Sequence, residues 1–332
     1  MNAVISPGNK SRYDAFCKDC RDIPVFLAPW WLDLDAGPDK WDVVLLENNG
    51  ELVGALPFCL TRLKWFQGIG MPMTAPYQGY ILRFPPDQQK ISSRIAWEQK
   101  AATCMFQALP STHFFFQHFP PEIENWTPLS WLGYRQTTRY SYVIKDLSCT
   151  SAVFEGFENR ARTAIRKAEQ SLRVIQNAEV HTLLELISHT YQKQSLRPPY
   201  DLKRLSALLE AAANHGAGTI YTALDERGVP HAGSFVVWDR QIARYVIQAA
   251  DPALLHSGGA ALLVWKALQE AAHRGMRSFD FTGSMMPNVE KFLRQFGGKP
   301  VPRHYITKEN TALFYWLMRL KEFREQTRQV RL

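Results

Sequence analysis

The chain has 332 residues, with 39 lysines and arginines against 31 aspartates and glutamates and a formal net charge of +8. That length accommodates two domains with their own cores, and 46% hydrophobic with 21% charged residues excludes a disordered or fibrous chain. The positive excess favours an anionic partner, whether a nucleotide, a phosphorylated acceptor, tRNA or an acidic membrane surface, without choosing among them.

No apolar run approaches the roughly 20 residues that a membrane-spanning helix requires. The opening MNAVISPGNKSRYDAF lacks the apolar stretch of a secretory signal, so a cytoplasmic protein is expected. Five cysteines are scattered except for Cys17-Lys-Asp-Cys20, which has no second such pair or histidine pair to complete a metal site. Reduced thiols and no metal are expected.

In chain order, PVFLAPWWLDLDAG (24–37) and MPMTAPYQGY (71–80) read as loops beside a first sheet. Between them VVLLENNGELVGALPF turns at Asn48-Asn49-Gly50, a hairpin signal. A helix over 91–109 then leads to THFFFQHF and LSWLGYRQTTRYSYVI. The second half repeats these landmarks at an offset of 164 residues: Phe115 matches Phe279, Gly133 matches Gly297 and Arg139 matches Arg303. Each half therefore reads as three antiparallel strands, a helix, a strand, a helix and a strand, the crossover helix delivering a parallel strand to the middle of the sheet.

The second half opens on SAVFEGFENRARTAIRKAEQSL, read as one helix burying Phe154, Phe157, Ala161, Ile165, Ala168 and Leu172. After the strand QIARYVIQA, Ser257-Gly258-Gly259 precedes a helix over 259–274. Unpaired amides and the positive dipole end suit a phosphate there, while the same residues also serve to cap the helix and bring it close to the sheet. In RSFDFTGS, Asp280 alternates against Phe279 and Phe281 and so faces away from the apolar layer. It can orient an attacking amine or hydrogen-bond its own loop. Lys291 and Arg294 on the next helix offer two cations for an acceptor phosphate or for solvent. The tail over 311–332 is apolar at Leu313, Trp316, Leu317, Leu320 and Phe323, one stripe that docks on the first half or, through 313–328, lies on an anionic membrane with Arg319, Lys321, Arg324 and Arg328 outward.

NRARTAIRKAE, the His256-x-x-Gly259-Ala260 helix start, SFDFTGS and Phe292-x-x-x-Phe296-Gly297-Gly298 together resemble the Fem family of peptidoglycan aminoacyltransferases, a branch of the GNAT superfamily. The resemblance covers nearly the whole chain. It implies an α/β fold of two tandem GNAT-like domains, 1–148 and 149–310, with mixed, centrally parallel-type sheets flanked by helices and the 311–332 helix returning to the first. It also implies an acyl-CoA or aminoacyl-tRNA co-substrate rather than a permanently bound cofactor, a donor site in the second domain, and an acceptor in the cleft between domains, such as the amine of a muropeptide precursor.

Three positions depart from the family pattern. Leu255 replaces the polar residue that leads the pyrophosphate loop, Leu293 stands where muropeptide-using members carry lysine, and 179–215 has no coiled-coil insert. On the family reading, Gly258, Gly259 and Ala260 bind the donor, Trp31, Tyr77, Lys291 and Arg294 the acceptor, and Asp280 orients the amine with help from Tyr245 or Gln248. The expected activity is direct transfer of an acyl or aminoacyl group to a primary amine. The alternatives are a non-catalytic binding module for a cell-wall precursor or tRNA, and an acyl-CoA-dependent N-acyltransferase of small molecules.

Overall fold

The computed structural model describes residues 1–6, 8–20, 23–84, 90–193 and 196–319. The first half contains β1 (Asn2–Val4), α1 (Asn9–Asp19), α2 (Pro29–Asp35), β2 (Trp41–Asn48), β3 (Glu51–Leu63), β4 (Phe66–Gly70), β5 (Ile81–Leu82), α3 (Ile91–Gln107), β6 (Phe114–His118), α4 (Thr127–Trp131) and β7 (Arg135–Ile144). The second contains α5 (Thr150–Glu155), α6 (Asn159–Ser171), β8 (Arg173–Gln176), α7 (Val180–Lys193), α8 (Leu202–Asn214), β9 (Gly218–Leu224), β10 (Pro230–Asp239), β11 (Ile242–Ala250), α9 (Gly259–His273), β12 (Ser278–Asp280), α10 (Pro287–Arg294) and β13 (Lys299–Glu309).

Turn chemistry fixes the hairpins: Asn49 and Gly50 both take positive φ between β2 and β3, as the Asn-Gly signal demands. The crossover helices α3 and α9 then deliver β6 parallel to β4 and β12 parallel to β11. The two halves thus share the order β-β-β-α-β-α-β, and the chain has the expected tandem α/β fold.

The last strands are exchanged. β13 pairs with β6 of the first half, β7 pairs with β12 of the second, and β7 and β13 pair with each other. One sheet results, in the order β1-β2-β3-β4-β6-β13-β7-β12-β11-β10-β9-β8, with β5 on β3. Arg139 pairs with Arg303, its mate at the repeat offset, so the local two-fold of the duplication passes through that rung.

Apolar faces set the layers. In the first half α3 packs on one side of the sheet and α1 on the other. In the second, α6 and α9 cover Tyr245, Phe279 and Phe281, while α7 and α8 cover Phe235, Val237 and Ile247. Phe26, Trp31 and Ala75 cross from the first half into the α7/α8 layer, tying the halves with apolar contact.

Three expectations change. The segment 24–37, read as a loop, carries α2 at Pro29–Asp35, started by a proline in its first turn. The single helix expected over 151–172 is broken at Gly156: Glu158 leaves helical geometry and its N–H reaches the Gln295 carbonyl at 2.8 Å. The break lets the turn at Gly297 lie against it, where a Cβ on Gly297 would come within 2.8 Å of the Gly156 carbonyl oxygen. The C-terminal tail is helical over 312–319 and does meet the first half, but through Phe314, which stacks on Phe114 at 4.6 Å and edge-on to Phe66 at 5.2 Å. Leu313, Trp316 and Leu317, from the stripe expected to dock, are exposed by 64%, 64% and 44%. Leu320, Lys321, Phe323, Arg324 and Arg328 lie outside the described residues.

Because each half completes its sheet with the other's last strand, residues 1–148 expressed alone should show no cooperative thermal transition, whereas the whole chain should. Circular dichroism checks this, and a sharp transition for 1–148 would show that the exchange is dispensable.

Candidate functional site

β11 and β12 run parallel for three rungs only, from Ile242↔Ser278 to Arg244↔Asp280, while β11 continues on β10 to Ala250. Beyond Asp280 the chain turns through Thr282, a β-branched residue held at φ 57°. Its N–H donates to Asp280 Oδ1 at 2.7 Å and its hydroxyl donates to the Tyr245 carbonyl at 3.0 Å. From that point the two strands splay into a V. At the same level the β10–β11 register slips: Phe235 faces Ile247 and Val236 faces Tyr245, leaving Val246 as an extra residue. A bulge of this kind takes backbone groups out of the ladder next to an open gap.

A cavity of about 320 Å³ lies at the N-terminus of α9, lined by Arg160, Gly258, Ala260, Asn288, Lys291 and Gln295 among others. Ser257 Oγ accepts the Gly259 N–H at 3.2 Å, and the following first-turn amides have no partner within their own helix. Gly258 has φ 78°, and a Cβ there would meet the Ala164 carbonyl oxygen at 2.7 Å. Glycine at this position therefore serves the approach of α6 as well as the open helix end. Leu255 sits on the cavity rim, 63% exposed.

The opposite face of the sheet carries Asp280. In-register parallel pairing with Arg244 puts these two side chains on one face, so Arg244, and not Tyr245, is the β11 neighbour of the carboxylate. Asp280 is 2% exposed and both oxygens are engaged. Oδ2 accepts from Arg244 Nη1 at 2.7 Å and from the Tyr77 hydroxyl at 2.5 Å; Oδ1 accepts from the Ser141 hydroxyl and the Thr282 N–H. Arg244 Nε donates to Asp239 Oδ2 at 2.9 Å, and Asp239 Oδ1 accepts the Val25 N–H at 3.0 Å. Burial works against the charge on Arg244, but Asp280, Tyr77 and Asp239 outweigh it and hold its pKa above the ordinary value. Tyr77 lies between Arg244 and Arg303, whose guanidinium carbons are 4.8 and 5.0 Å from its ring centre. Burial first, then the Asp280 charge, pushes its phenol pKa up, so it donates to Asp280 as a neutral group. Beside this network opens a cavity of about 590 Å³ bordered by Glu122, Lys145, Arg244, Asp280, Arg303 and His304.

The residues singled out in the sequence therefore fall into separate places. Gly258, Ala260 and Lys291 share the cavity at α9, with Gly259 as the first residue of that helix. Lys291 thus lies at the start of α9 and not on the Asp280 face, and Arg294 pairs with Glu290 at 3.7 Å outside that cavity. Tyr77 and Asp280 meet directly, but Tyr245 is buried under α9 against Phe279 and Phe281, across the sheet from Asp280. Gln248, opposite Ser234 on β10, is half-buried on the free arm of the V. Trp31 is fully buried: it packs on Phe26 and Phe235, and its Nε1 donates to Asp35 at 3.2 Å. Asp35 in turn accepts the Thr74 and Ala75 N–H groups, so Trp31 helps to anchor the 71–80 loop and lines no cleft. The Val246 bulge and Arg244 carried no sequence signal beyond their residue types, whereas Arg160 belongs to a basic face of the 151–172 segment, with Arg162, Arg166 and Lys167, that suits an anionic ligand.

Residues 156–322 match the family model described as an acetyltransferase (GNAT) domain. No curated protein matches the chain in sequence. Among solved structures, FemX is similar with a TM-score of 0.62 and 11% identity over 92% of this chain and 97% of that one. L-PGS from Bacillus licheniformis, a lysylphosphatidylglycerol synthetase, is similar with a TM-score of 0.52 and 10% identity over 94% and 95%. At these identities the likeness is one of fold.

Removing the carboxylate at Asp280 leaves the buried Arg244 Nη1, Tyr77 and Ser141 donors without their acceptor while Asp239 keeps its own bond to Arg244, so Asp280→Ala should cost about 3–5 kcal/mol of stability. Urea unfolding measures it, and an unchanged midpoint would mean that the carboxylate does not lock the halves.

Proposed function

The chain belongs to the acetyltransferase (GNAT) family, and from that premise we propose that it transfers an acyl group from acyl-CoA to a primary amine. The observation that carries the choice of donor is the cavity at the N-terminus of α9, walled by α6, α9 and α10. First-turn amides and the cations Arg160 and Lys291 suit a pyrophosphate, and the V gives the acyl arm a path between strands. Aminoacyl-tRNA is the alternative donor suggested by the Fem-like fold.

In this reading the amine enters from the 590 Å³ cavity on the Asp280 face. Its nitrogen attacks the thioester carbon, the oxyanion is received by the backbone N–H freed at the Val246 bulge, and the C–S bond then breaks. The proton lost by the amine passes, directly or through water, to the departing thiolate. The chain contributes alignment and electrostatic stabilisation, and no covalent enzyme intermediate is needed. Asp280, with its acceptor capacity filled, acts as a positioning residue that sets Thr282 and the gap. An anionic amine such as a muropeptide precursor is one acceptor compatible with this cleft.

Contact with an anionic membrane surface is supported by the exposed Leu313, Trp316 and Leu317 beside the β3–β4 hairpin tip. There Trp65 is 79% exposed, next to Arg62 and Lys64. Tryptophan and cations together suit the headgroup region of a bilayer.

Titration with acetyl-CoA should show saturable binding, weakened about tenfold by Lys291→Gln through loss of a charge-assisted contact. Absence of binding together with binding of charged tRNA would move the donor to aminoacyl-tRNA, and binding without acylated product would make this a non-catalytic module. For the surface, sedimentation with anionic vesicles should fall severalfold in the Trp65→Ser, Trp316→Ser double variant; equal sedimentation would dismiss the membrane contact.

A further inference from the structure

β7 and β13 set Arg139 directly against Arg303, and like charges on opposed residues of an antiparallel pair repel. By contrast, Arg135, four residues earlier on β7, is ion-paired with Glu309, and Arg244 on β11 lies between Asp280 and Asp239. Among the described residues Arg139 and Arg303 have no carboxylate partner, and the Nε of each is buried without a hydrogen bond. Arg303 makes one hydrogen bond, to the Pro76 carbonyl at 3.3 Å; Arg139 makes none and rests over the Tyr305 ring at 5.2 Å. The nearest titratable neighbour supplies no counter-charge. His118 stacks on Tyr305 at 4.5 Å, and burial, helped by Arg303 and Arg139, pushes its pKa down to about 3, so it is neutral at physiological pH.

The rung also has open space on both sides. Arg303 borders the 590 Å³ cavity next to Asp280. Arg139 borders a second cavity of about 430 Å³, walled by Phe114, Phe116, Tyr305 and Phe314. The carboxylates on these cavities are engaged elsewhere, Asp280 and Glu122 with Arg244 and Glu309 with Arg135, except Glu124. Two guanidinium groups with unused donors and no ion pair of their own, each bordering a cavity, match a dianionic tetrahedral group better than a single carboxylate.

We propose that the Arg139–Arg303 rung, on the two-fold of the duplicated fold, is the seat of a phosphoryl group carried by the acceptor. The proposal rests on the reading that the acceptor amine enters beside Asp280. It places the acceptor's charge one cavity away from the donor's, on the other face of the sheet, so that the two polyanionic substrates do not compete for the same cations. The aromatic wall beyond Arg139 gives a lipid-borne phosphate somewhere to lay its first methylenes, whereas a soluble sugar phosphate would use the rung alone.

The test is calorimetric titration of the whole chain with inorganic pyrophosphate in the presence of saturating CoA, which fills the α9 cavity. Single-site binding is expected, at least tenfold weaker in Arg139→Gln and partly restored in Arg139→Lys, with CoA affinity within twofold of wild type. Arg139 is half-buried and makes no hydrogen bond, so the thermal midpoint of Arg139→Gln should stay near wild type. If it does not, Arg139→Lys, which keeps the charge and loses the fork, serves alone and should still weaken pyrophosphate. Pyrophosphate affinity indifferent to Arg139, or abolished by CoA, would overturn the proposal. Failure of CoA to bind, with pyrophosphate still dependent on Arg139, would remove the transferase reading and leave the anion seat standing. Titration with glucosamine 1-phosphate and with dihexanoyl phosphatidic acid separates the two sources: tighter binding of the second, lost with Arg139, indicates a lipid-borne acceptor.

Discussion

Everything on the functional face depends on the Asp280 carboxylate being filled. Four donors from four segments converge on it: Tyr77 from the first half's loop, Ser141 from β7, Arg244 from β11 and the Thr282 amide from the turn that opens the V. A buried ion pair is a poor source of net stability, because desolvation offsets most of the Coulomb attraction. Its effect here is geometric. With both halves donating to one carboxylate, the position of the first half relative to the β11–β12 gap is fixed by hydrogen-bond length rather than by apolar contact, which tolerates sliding. Asp239 repeats the device on the other side of Arg244, taking the Val25 amide of the first half on its second oxygen.

The strand exchange explains why such a lock is worth its desolvation. β7 and β13 carry the sheet across the junction, so the halves cannot hinge without breaking ladder hydrogen bonds. On the proposed reading, a rigid junction with a cavity on one face and a helix N-terminus on the other would let two substrates meet through the sheet. The Val246 bulge and the strained Thr282 lie where they would meet, and local backbone irregularity is tolerated there because the flanking hydrogen bonds over-determine it.

Much of the fold was legible from local signals. The Asn-Gly turn, the crossover helices and the 164-residue offset each reflect short-range chemistry repeated twice. The offset even matched Arg139 with Arg303, but only pairing across the junction brings them face to face, and no local pattern encodes which half a terminal strand will join. Trp31 misled for a related reason. An aromatic pair in a loop reads equally as a ligand wall or as an anchor, and the apolar layer it enters belongs to the other half of the chain. For Asp280 the alternation with Phe279 and Phe281 gave the correct face, yet the partner on β11 follows from register: a shift of one residue decides between Arg244 and Tyr245. Lys291 and Arg294 were a pair by helical spacing, and Glu290, four residues before Arg294, draws only Arg294 away.

Duplication gave two crossover helices that differ at their starts. α9 opens on Gly258-Gly259, where the left-handed Gly258 clears the α6 backbone and leaves the first-turn amides open. α3 opens on Ile91-Ser92-Ser93 after an extended Lys90, with no glycine in its first turn. Nor is β4 splayed from β6 beyond a bulge: β4 ends at Gly70, one residue after its last rung with β6. The first half therefore keeps the architecture without the helix-end cradle or the gap, and its contribution to the site is what it inserts into the second: Tyr77 against Asp280, Val25 against Asp239, and the Phe26–Trp31 pair under α7 and α8. On the proposed reading, a first half without that cradle is free to present an acceptor surface, to which the Arg139–Arg303 rung on the two-fold brings the same residue type from both copies.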